Sequence, residues 1–414
     1  MCVPEDLTNP SDPADSVPPA FPVVGIGASV GGLNALLGLF EQMPADSGMS
    51  FLVVLHVPPK DDDSAVGILA RRTAMPVVQL KGRTILAQNH VYLVPGGYDL
   101  AMDGTSASPL PPSVQSGQHT SIDRFFRLLA DTLHARAVGV VLSGSGSDGA
   151  VGLARIRELG GVALAQTPDE ADHSSMPSAC IASGAIDFVL PVAAIPAQLI
   201  RLWHNARQIQ LPPLDDDPAS EMPGSASSDD SGDASDADGG QAEKVGFPGV
   251  LDEAAEHALA QIMETLRMRT RHDFRHYKRA TVLRRIGRRM QIIGSQDLDA
   301  YQAYLQGHAE ETTALLQDML ISVTCFFRDP PAMESLDRNV LAGLLANRET
   351  DDTLRVWVVG CATGEEAYSV SILLHERISA DDRAPGAGNP AIQVFATDID
   401  DRALAIARNG LYPG

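Results

Sequence analysis

The chain has 414 residues, 44% of them hydrophobic, with 31 basic against 53 acidic side chains and a formal net charge of −22. Such a length holds two or three domains with real cores. The charge argues against nucleic acid or an anionic membrane as a general partner, and the scattered Cys2, Cys180, Cys325 and Cys361 give neither a disulfide framework nor a metal site, pointing to reduced thiols in a cytoplasm.

Residues 1–20 are rich in Pro, Asp and Ser and lack the apolar core of a signal peptide, so a disordered tail is expected there. Nowhere does an apolar run approach the length of a membrane span. Phe21 to Ile26 is a short run rich in β-branched residues and reads as a buried strand. After Gly31-Gly32 the period changes: Leu33, Leu36, Leu37 and Phe40 form the stripe of an amphipathic helix. Ser29 therefore sits on a glycine-flanked turn between a strand and a helix N-terminus, where a serine nucleophile and unpaired backbone N–H groups can coexist. Two other readings compete. Gly25-Ile26-Gly27 resembles the start of a dinucleotide fingerprint, but its third glycine falls one place late and the second strand ends in His56 rather than an acid. The bland reading makes the glycines packing devices and Ser29 a helix N-cap.

Phe51 to Leu55 is the second strand, closing in His56 and Pro58-Pro59, with a helix expected before Arg71-Arg72. Val77 to Gly97 reads as a short β excursion, residues 103–118 as a Ser/Pro/Gly loop, and Ile122, Phe125, Phe126, Leu129 and Leu133 as a helical stripe. Ala137 to Leu142 is a third strong strand, followed by Ser143-Gly144-Ser145-Gly146-Ser147-Asp148-Gly149. A helix through Leu153, Ile156 and Leu159 and strand-like stretches at Val162 to Ala165 and Ala185 to Leu190 come next. This alternation predicts an α/β domain with a doubly wound parallel sheet, whose loops after the strands share one edge. Ser29, His56 and Asp148 each lie beyond a strand end, and they are the side chains of a nucleophile–base–orienter set. Their chain order differs from the Ser, Asp, His order of α/β-hydrolases. His90 and His119 are the nearest alternative bases.

These motifs resemble the catalytic domain of chemotaxis protein-glutamate methylesterases (CheB type). The resemblance runs from about Phe21 to Pro191 and rests on Gly27-Ala28-Ser29-Val30-Gly31-Gly32, His56 with its prolines, Pro95-Gly96, Ser121 to Phe126, Leu142 to Ala150 and Met176-Pro177. It implies a triad of Ser29, His56 and Asp148. It also implies hydrolysis of glutamate γ-methyl esters on chemotaxis receptors, glutamine deamidation as a further activity, and no cofactor for this domain. Val30 stands where many relatives carry threonine and Ser145 where many carry methionine. The family's usual receiver domain does not precede Phe21, so control through one is not expected.

Pro212 to Glu243 is rich in Asp, Ser, Gly and Pro and reads as a flexible acidic linker, placed at residues 207–247. From Leu251 the pattern is helical, with Leu259, Ile262, Met263 and Leu266 in one stripe. Arg267 to Arg289 is densely basic, carrying Arg271, Arg275, Lys278, Arg279, Arg284, Arg285, Arg288 and Arg289. Within so acidic a protein this favours a docking surface for an acidic partner over a solvated helix face. Further helices are read around Tyr304 and from Leu315 to Leu320. Leu354 to Val359 is a strand, Gly360 to Gly364 a tight loop, Glu365 to Glu376 a helix, and Ile392 to Ala396 a strand ending in Asp398-Ile399-Asp400. A glycine loop after one strand and an acid after the next suit a nucleoside, whether of NAD or of S-adenosylmethionine.

From about Phe274 the chain resembles chemotaxis receptor glutamate O-methyltransferases (CheR type). The matching motifs are Tyr277-Lys278-Arg279, Val323 to Asp329, Cys361 to Ser369 and Ala396 to Asp400. The resemblance implies S-adenosylmethionine as cofactor, held by Thr324, Arg328, Glu366 and Asp398. Ser322 stands where simpler members have asparagine. The expected organisation is a tail at 1–20, a methylesterase domain at 21–206, the linker, a small all-α domain at 248–340, and at 341–414 the beginning of an α/β S-adenosylmethionine-dependent methyltransferase domain. A match stopping at Gly414 leads to the expectation of a truncated, inactive methyltransferase. The competing functions are a non-catalytic signalling scaffold that binds receptors and a hydrolase of small free esters.

Overall fold

The computed structural model describes residues 21–56, 62–111, 121–211, 253–320, 324–346, 353–380, 390–410 and 412. Of the expected acidic linker, residues 212–247 lie outside them, as do residues 1–20, His119 and Ser322, while 207–211 are described and α6 reaches Gln208. The chain divides into two units, one reaching to Pro196 and resuming at Leu320, the other Ala197–Met319.

The first unit opens with β1 (Val23–Ala28), α1 (Gly32–Gln42), β2 (Ser50–Leu55), α2 (Asp62–Leu69), β3 (Val77–Gln79), β4 (Thr84–Ile85) and β5 (His90–Leu93). Then come β6 (Asp99–Asp103), β7 (Ser106–Leu110), α3 (Ser121–Leu133), β8 (Ala137–Val141), α4 (Ala150–Glu158), β9 (Val162–Gln166), α5 (Ser175–Ala182), β10 (Phe188–Leu190) and α6 (Ile195–Gln208). Seven strands form one parallel sheet in the order β10-β9-β8-β1-β2-β5-β3. Every residue of β1, β2, β8 and β9 is buried, which is why these strands read as unbroken apolar runs rather than alternating ones. Gly25 and Gly27 serve packing: a Cβ on Gly27 would lie 2.5 Å from Ile122 Cγ2, and one on Gly25 2.7 Å from Leu129 Cδ2. Their bare backbones let α3 lie against the sheet.

The β excursion is more than an excursion, since β5 and β3 extend the main sheet beyond β2. The loop expected at 103–118 contains β7, which pairs antiparallel with β6 and β4 in a separate three-stranded sheet. Ser106 and Ala107 are buried there, so a Ser/Pro-rich composition masked a half-buried hairpin strand.

The second unit combines the later part of α6 with α7 (Glu253–Thr270), α8 (Arg279–Ile293), α9 (Leu298–Gly307) and α10 (Ala309–Met319). The stripe read on α7 is its buried face: Ile262 and Leu266 are fully covered. The basic stretch does not form one docking face. Arg288 and Asp318 make a salt bridge with both side chains at 0% exposure. Arg289 grips Glu311 through two bonds of 2.8 and 2.7 Å, and Tyr301 donates to the same carboxylate at 2.8 Å. Arg275 pairs with Asp273 and Arg279 with Glu256 at the surface. Helix α8 is covered on several sides, so charge along its sequence does not report which side meets water.

Beyond Leu320 the described chain forms α11 (Pro330–Ser335), a π-helical stretch Leu336–Leu341, α12 (Ala342–Ala346), β11 (Thr353–Val359), α13 (Glu365–Ala380), β12 (Ala391–Thr397) and α14 (Asp401–Asn409). Strands β11 and β12 pair in parallel from Thr353 opposite Ala391 to Val359 opposite Thr397. Leu354, Val370, Leu374 and Ile378 supply their core.

Candidate active site

The hydrogen-bond ladders of β1 run past its end. His56 N–H donates to the Ala28 carbonyl at 2.9 Å, and on the other side Ser29 N–H donates to the Ser143 carbonyl at 3.0 Å. Ser29 is thus held between the ends of β2 and β8, at the point where the chain order of the sheet reverses; such crevices hold ligands in open α/β sheets. Gly31 follows at φ 76° and caps α1, whose Gly32 N–H turns back to the Ser29 carbonyl at 2.8 Å. Ser29 itself is 8% exposed and Val30 on the rim is 48% exposed. The Ser29 N–H is engaged by Ser143, so of the turn's N–H groups this one does not face a ligand.

Asp148 lies in the loop that leaves β8, between Gly146 and Gly149, both with left-handed backbone. Its two carboxylate oxygens accept the Ile122 N–H at 3.1 Å and the Asp123 N–H at 2.8 Å. Asp148 therefore caps the N-terminus of α3, satisfying donors a helix leaves open and matching its positive end. Each oxygen keeps a second lone pair for another donor. Asp123 returns the favour, accepting the Gly152 N–H of α4 at 2.8 Å. Burial pushes its carboxyl above the usual range, with the Asp148 charge adding and the Gly152 bond opposing. Cys180 lies beneath, its thiol pushed up to about 12 by burial and then by the charges of Asp123 and Asp148.

His56 is exposed at the rim. His90 begins β5, at the opposite edge of the parallel sheet, and its Nδ1 faces the Gln88 carbonyl at 2.8 Å; strand direction removes it as a base for Ser29. Several residues at the site escape sequence reading. Ser143, 1% exposed, bonds Val30 and His173, and buried Gln166 accepts its N–H at 2.8 Å. A Cβ on Gly144 would come within 3.0 Å of Ser29 Cβ and 2.4 Å of Met176 Cε, so the glycine keeps space open beside the serine. The strand-end rule finds Ser29, His56 and Asp148. It does not find partners from the loop after β9, because nothing local in the sequence marks which loops converge.

A second site lies at the ends of β11 and β12. Gly360, Ala362 and Gly364 all take positive φ, making the loop after β11 tight. Asp398 accepts the Ala362 N–H of this loop at 2.8 Å and the Asp400 N–H at 2.8 Å. The stretch with Thr324 and Arg328 is brought beside the loop: Phe327 N–H donates to Ser369 Oγ at 2.9 Å, the Phe326 ring meets Tyr412 edge-on at 5.0 Å, and Tyr412 donates to the Thr363 carbonyl at 2.7 Å. Arg328 and Glu366 are exposed and Thr324 half-buried. A cavity of about 420 Å³ adjoins, walled by Cys361, Gly364, Tyr368, Thr397 and Asp398 among others. Glycine loop, carboxylate and cavity fit a nucleoside-bearing ligand.

The fold and these two sites define a parallel α/β domain with a serine turn, a helical region and a nucleoside-cradling α/β region. Residues 24–199 match the CheB methylesterase family, 257–320 the all-alpha domain of CheR methyltransferases, and 322–414 their SAM binding domain. The chain carries a CheB methylesterase domain followed by the CheR N-terminal and S-adenosylmethionine-binding domains. It is 37% identical, over 83% of its length and 34% of the relative's, to an uncharacterised 104.1 kDa protein of Rhodobacter capsulatus. It is 33% identical to a protein-glutamate methylesterase/protein-glutamine glutaminase of Anaeromyxobacter dehalogenans, over 45% of this chain and 55% of that one. The chain thus spans about a third and about half of these two relatives. The crystal structure of the Thermotoga maritima CheB methylesterase catalytic domain aligns with 44% of this chain and 99% of its own, at 25% identity and a TM-score of 0.42. Among the described residues no helix is long and apolar enough to cross a membrane, and no cluster of ligating side chains suits a metal ion.

Proposed function

We propose that this chain is a cytoplasmic protein-glutamate methylesterase of sensory adaptation, acting on methyl-accepting chemotaxis receptors through Ser29, His56 and Asp148. The observation that carries the reading is the adjacency of β8, β1 and β2, which end in the loops bearing these residues. In this mechanism Ser29 Oγ attacks the ester carbonyl, His56 takes the serine proton and passes it to the departing methanol, and Asp148 holds the imidazole. Water, deprotonated by His56, then frees the acyl-serine and leaves a glutamate carboxylate. Backbone N–H groups of the turn after Ser29 are the donors at hand for the oxyanion. Attack on a glutamine carboxamide by the same route releases ammonia, an activity named for relatives of this domain.

The CheR region is proposed to bind S-adenosylmethionine, which when bound supplies the methyl group for glutamate esterification. Asp398 would accept its ribose hydroxyls, the 360–364 loop would approach it through backbone, and Thr324, Arg328 and Glu366 would close the cradle. The exposed part of the basic stretch, with Arg271 and Arg284, is proposed to meet the acidic receptor surface.

The test is methanol release from a methylated receptor fragment. Ser29→Ala should lower it by several orders of magnitude, in line with roughly 10⁶ lost in other triads. A variant keeping more than about a tenth of the rate would overturn Ser29 as the nucleophile, given that scale, whereas no release by the unmodified chain would favour the non-catalytic scaffold.

A further inference from the structure

The nucleophile turn is bracketed by one residue. The Ser143 carbonyl accepts the Ser29 N–H at 3.0 Å, and the Ser143 hydroxyl donates to the Val30 carbonyl at 2.9 Å. The same hydroxyl accepts the His173 N–H at 2.9 Å, which ties in the loop that follows β9. Ser143 is in turn fixed from behind, its N–H bonded at 2.8 Å to Oε1 of the buried Gln166 on β9. Gly31 passes close to its hydroxyl: a Cβ on Gly31 would lie 2.7 Å from Ser143 Oγ.

We propose that Ser143 is a positioning residue for the esterase reaction, setting the angle of the turn from which Ser29 attacks. The inference rests on Ser29 being the nucleophile. A serine on a turn can rotate its Oγ only as well as the turn itself is held. Here the peptide before Ser29 and the carbonyl after it are both fixed by Ser143, 114 residues away in sequence. The hydroxyl is the only part of Ser143 that a substitution can remove, since its backbone bonds to Ser29 and Gln166 survive. Without it the Val30 carbonyl and His173 N–H lose a shared partner, and the turn loses its direct tie to the 172–174 loop, which stays held by Asn34 Nδ2 on Asp172 at 3.1 Å and by the Gly144 N–H on the His173 carbonyl at 3.0 Å. An error of about 1 Å in an attacking group costs on the order of a hundredfold in rate.

The experiment compares Ser143→Ala, Ser143→Cys and Ser143→Thr in the full chain, with Ser29→Ala as control, measuring kcat and KM for methanol release from the methylated receptor fragment. Cys keeps the side-chain volume and Thr keeps the hydroxyl. The expected result is a kcat roughly 10- to 100-fold lower for Ala and Cys with KM unchanged, and recovery to within about threefold of wild type for Thr. A thermal melt of each variant accompanies the kinetics, and Cys carries the comparison if Ala does not fold. If Ala and Cys keep wild-type kcat while Ser29→Ala abolishes it, Ser143 has no positioning role. Equal losses in Ala, Cys and Thr would assign the effect to packing and also overturn the proposal. If Ser29→Ala keeps its rate, the nucleophile reading itself fails, and this inference with it.

Discussion

The arginine-rich helix offers the sharpest separation between scaffold and surface. Arg288 and Asp318 are both fully buried and paired, with Arg289 and Glu311 alongside. Removing one partner of such a pair leaves an uncompensated charge in the interior and costs about 3–5 kcal/mol, whereas replacing both by apolar groups of similar size is close to neutral. Asp318→Ala should therefore lower the melting temperature of the helical unit by roughly 9–25 °C, taking about 3–5 °C per kcal/mol for a unit of this size. The double variant Arg288→Met with Asp318→Leu should regain most of that loss. Arg284 is exposed, and its long contact with Thr281 Oγ1 at 3.5 Å holds it weakly. Arg284→Glu should leave the melt within about 0.5 kcal/mol of wild type while weakening receptor binding, itself expected to fall as salt rises over roughly 50 to 300 mM. Calorimetry of each variant, paired with a binding titration, makes the measurement. An Asp318→Ala protein that melts like wild type would show that the pair contributes nothing and that buried charge was misread as structure.

Two further outcomes follow from shifted groups. With its thiol pushed up to about 12, Cys180 carries only about 10⁻⁴ thiolate at pH 8; it should resist a thiol reagent in the native protein and react once unfolded, while exposed Cys325 reacts at once. Rapid native labelling of Cys180, read by peptide mass, would contradict its burial. Burial first, and the Glu311 carboxylate next, push the Tyr301 hydroxyl above the ordinary tyrosine range; a group raised in the folded state loses its stabilising contribution as pH climbs past its unfolded value, so the helical unit should weaken above about pH 10. Tyr301→Phe should flatten that limb of the stability curve, and an unchanged slope would dismiss the tyrosine as its cause.

The strands that carry Ser29, His56 and Asp148 were legible because a strand buried on both faces must be apolar throughout, and its end is marked by glycine or a polar residue. The shorter β3 and β4 read only as fragments, since they are half-buried and their partners are remote. Nothing in the order of residues says that β5 and β3 join beyond β2; that is decided by tertiary packing. The partners that Ser143 and Gln166 find escape the sequence for a related reason. A hydroxyl and a carboxamide look the same in sequence whether they face water or a carbonyl from another loop. Arg288 and Arg289 are misplaced because a basic run in an acidic chain reads as an exposed docking surface, and only the carboxylates of α10 make its burial tolerable.

The proposed triad requires Asp148 to serve a histidine two strands away. Neighbouring strands lie about 4.8 Å apart, so from the end of β8 an aspartate would have to reach past β1 to meet the end of β2. The contacts of α3 shorten the reach that the proposal needs. Ile122, in its first turn, lies directly over Gly27, two residues before Ser29, as the 2.5 Å approach to a Cβ built there requires. Because Asp148 is bonded to the N–H groups of Ile122 and Asp123, the loop from β8 is carried across to stand over β1. The glycine at 27 is then a requirement of the proposed triad, although it touches none of its members' side chains. Gly27→Ala should lift the start of α3 off the sheet, displace Asp148, and reduce methanol release by more than its effect on the melt accounts for. Trimming the obstruction with Ile122→Ala in the same chain should restore part of the rate even though it removes apolar contact and lowers stability further. If the double variant is both less stable and no more active than Gly27→Ala alone, the seat of α3 does not govern Asp148, and the capping bonds are structural only.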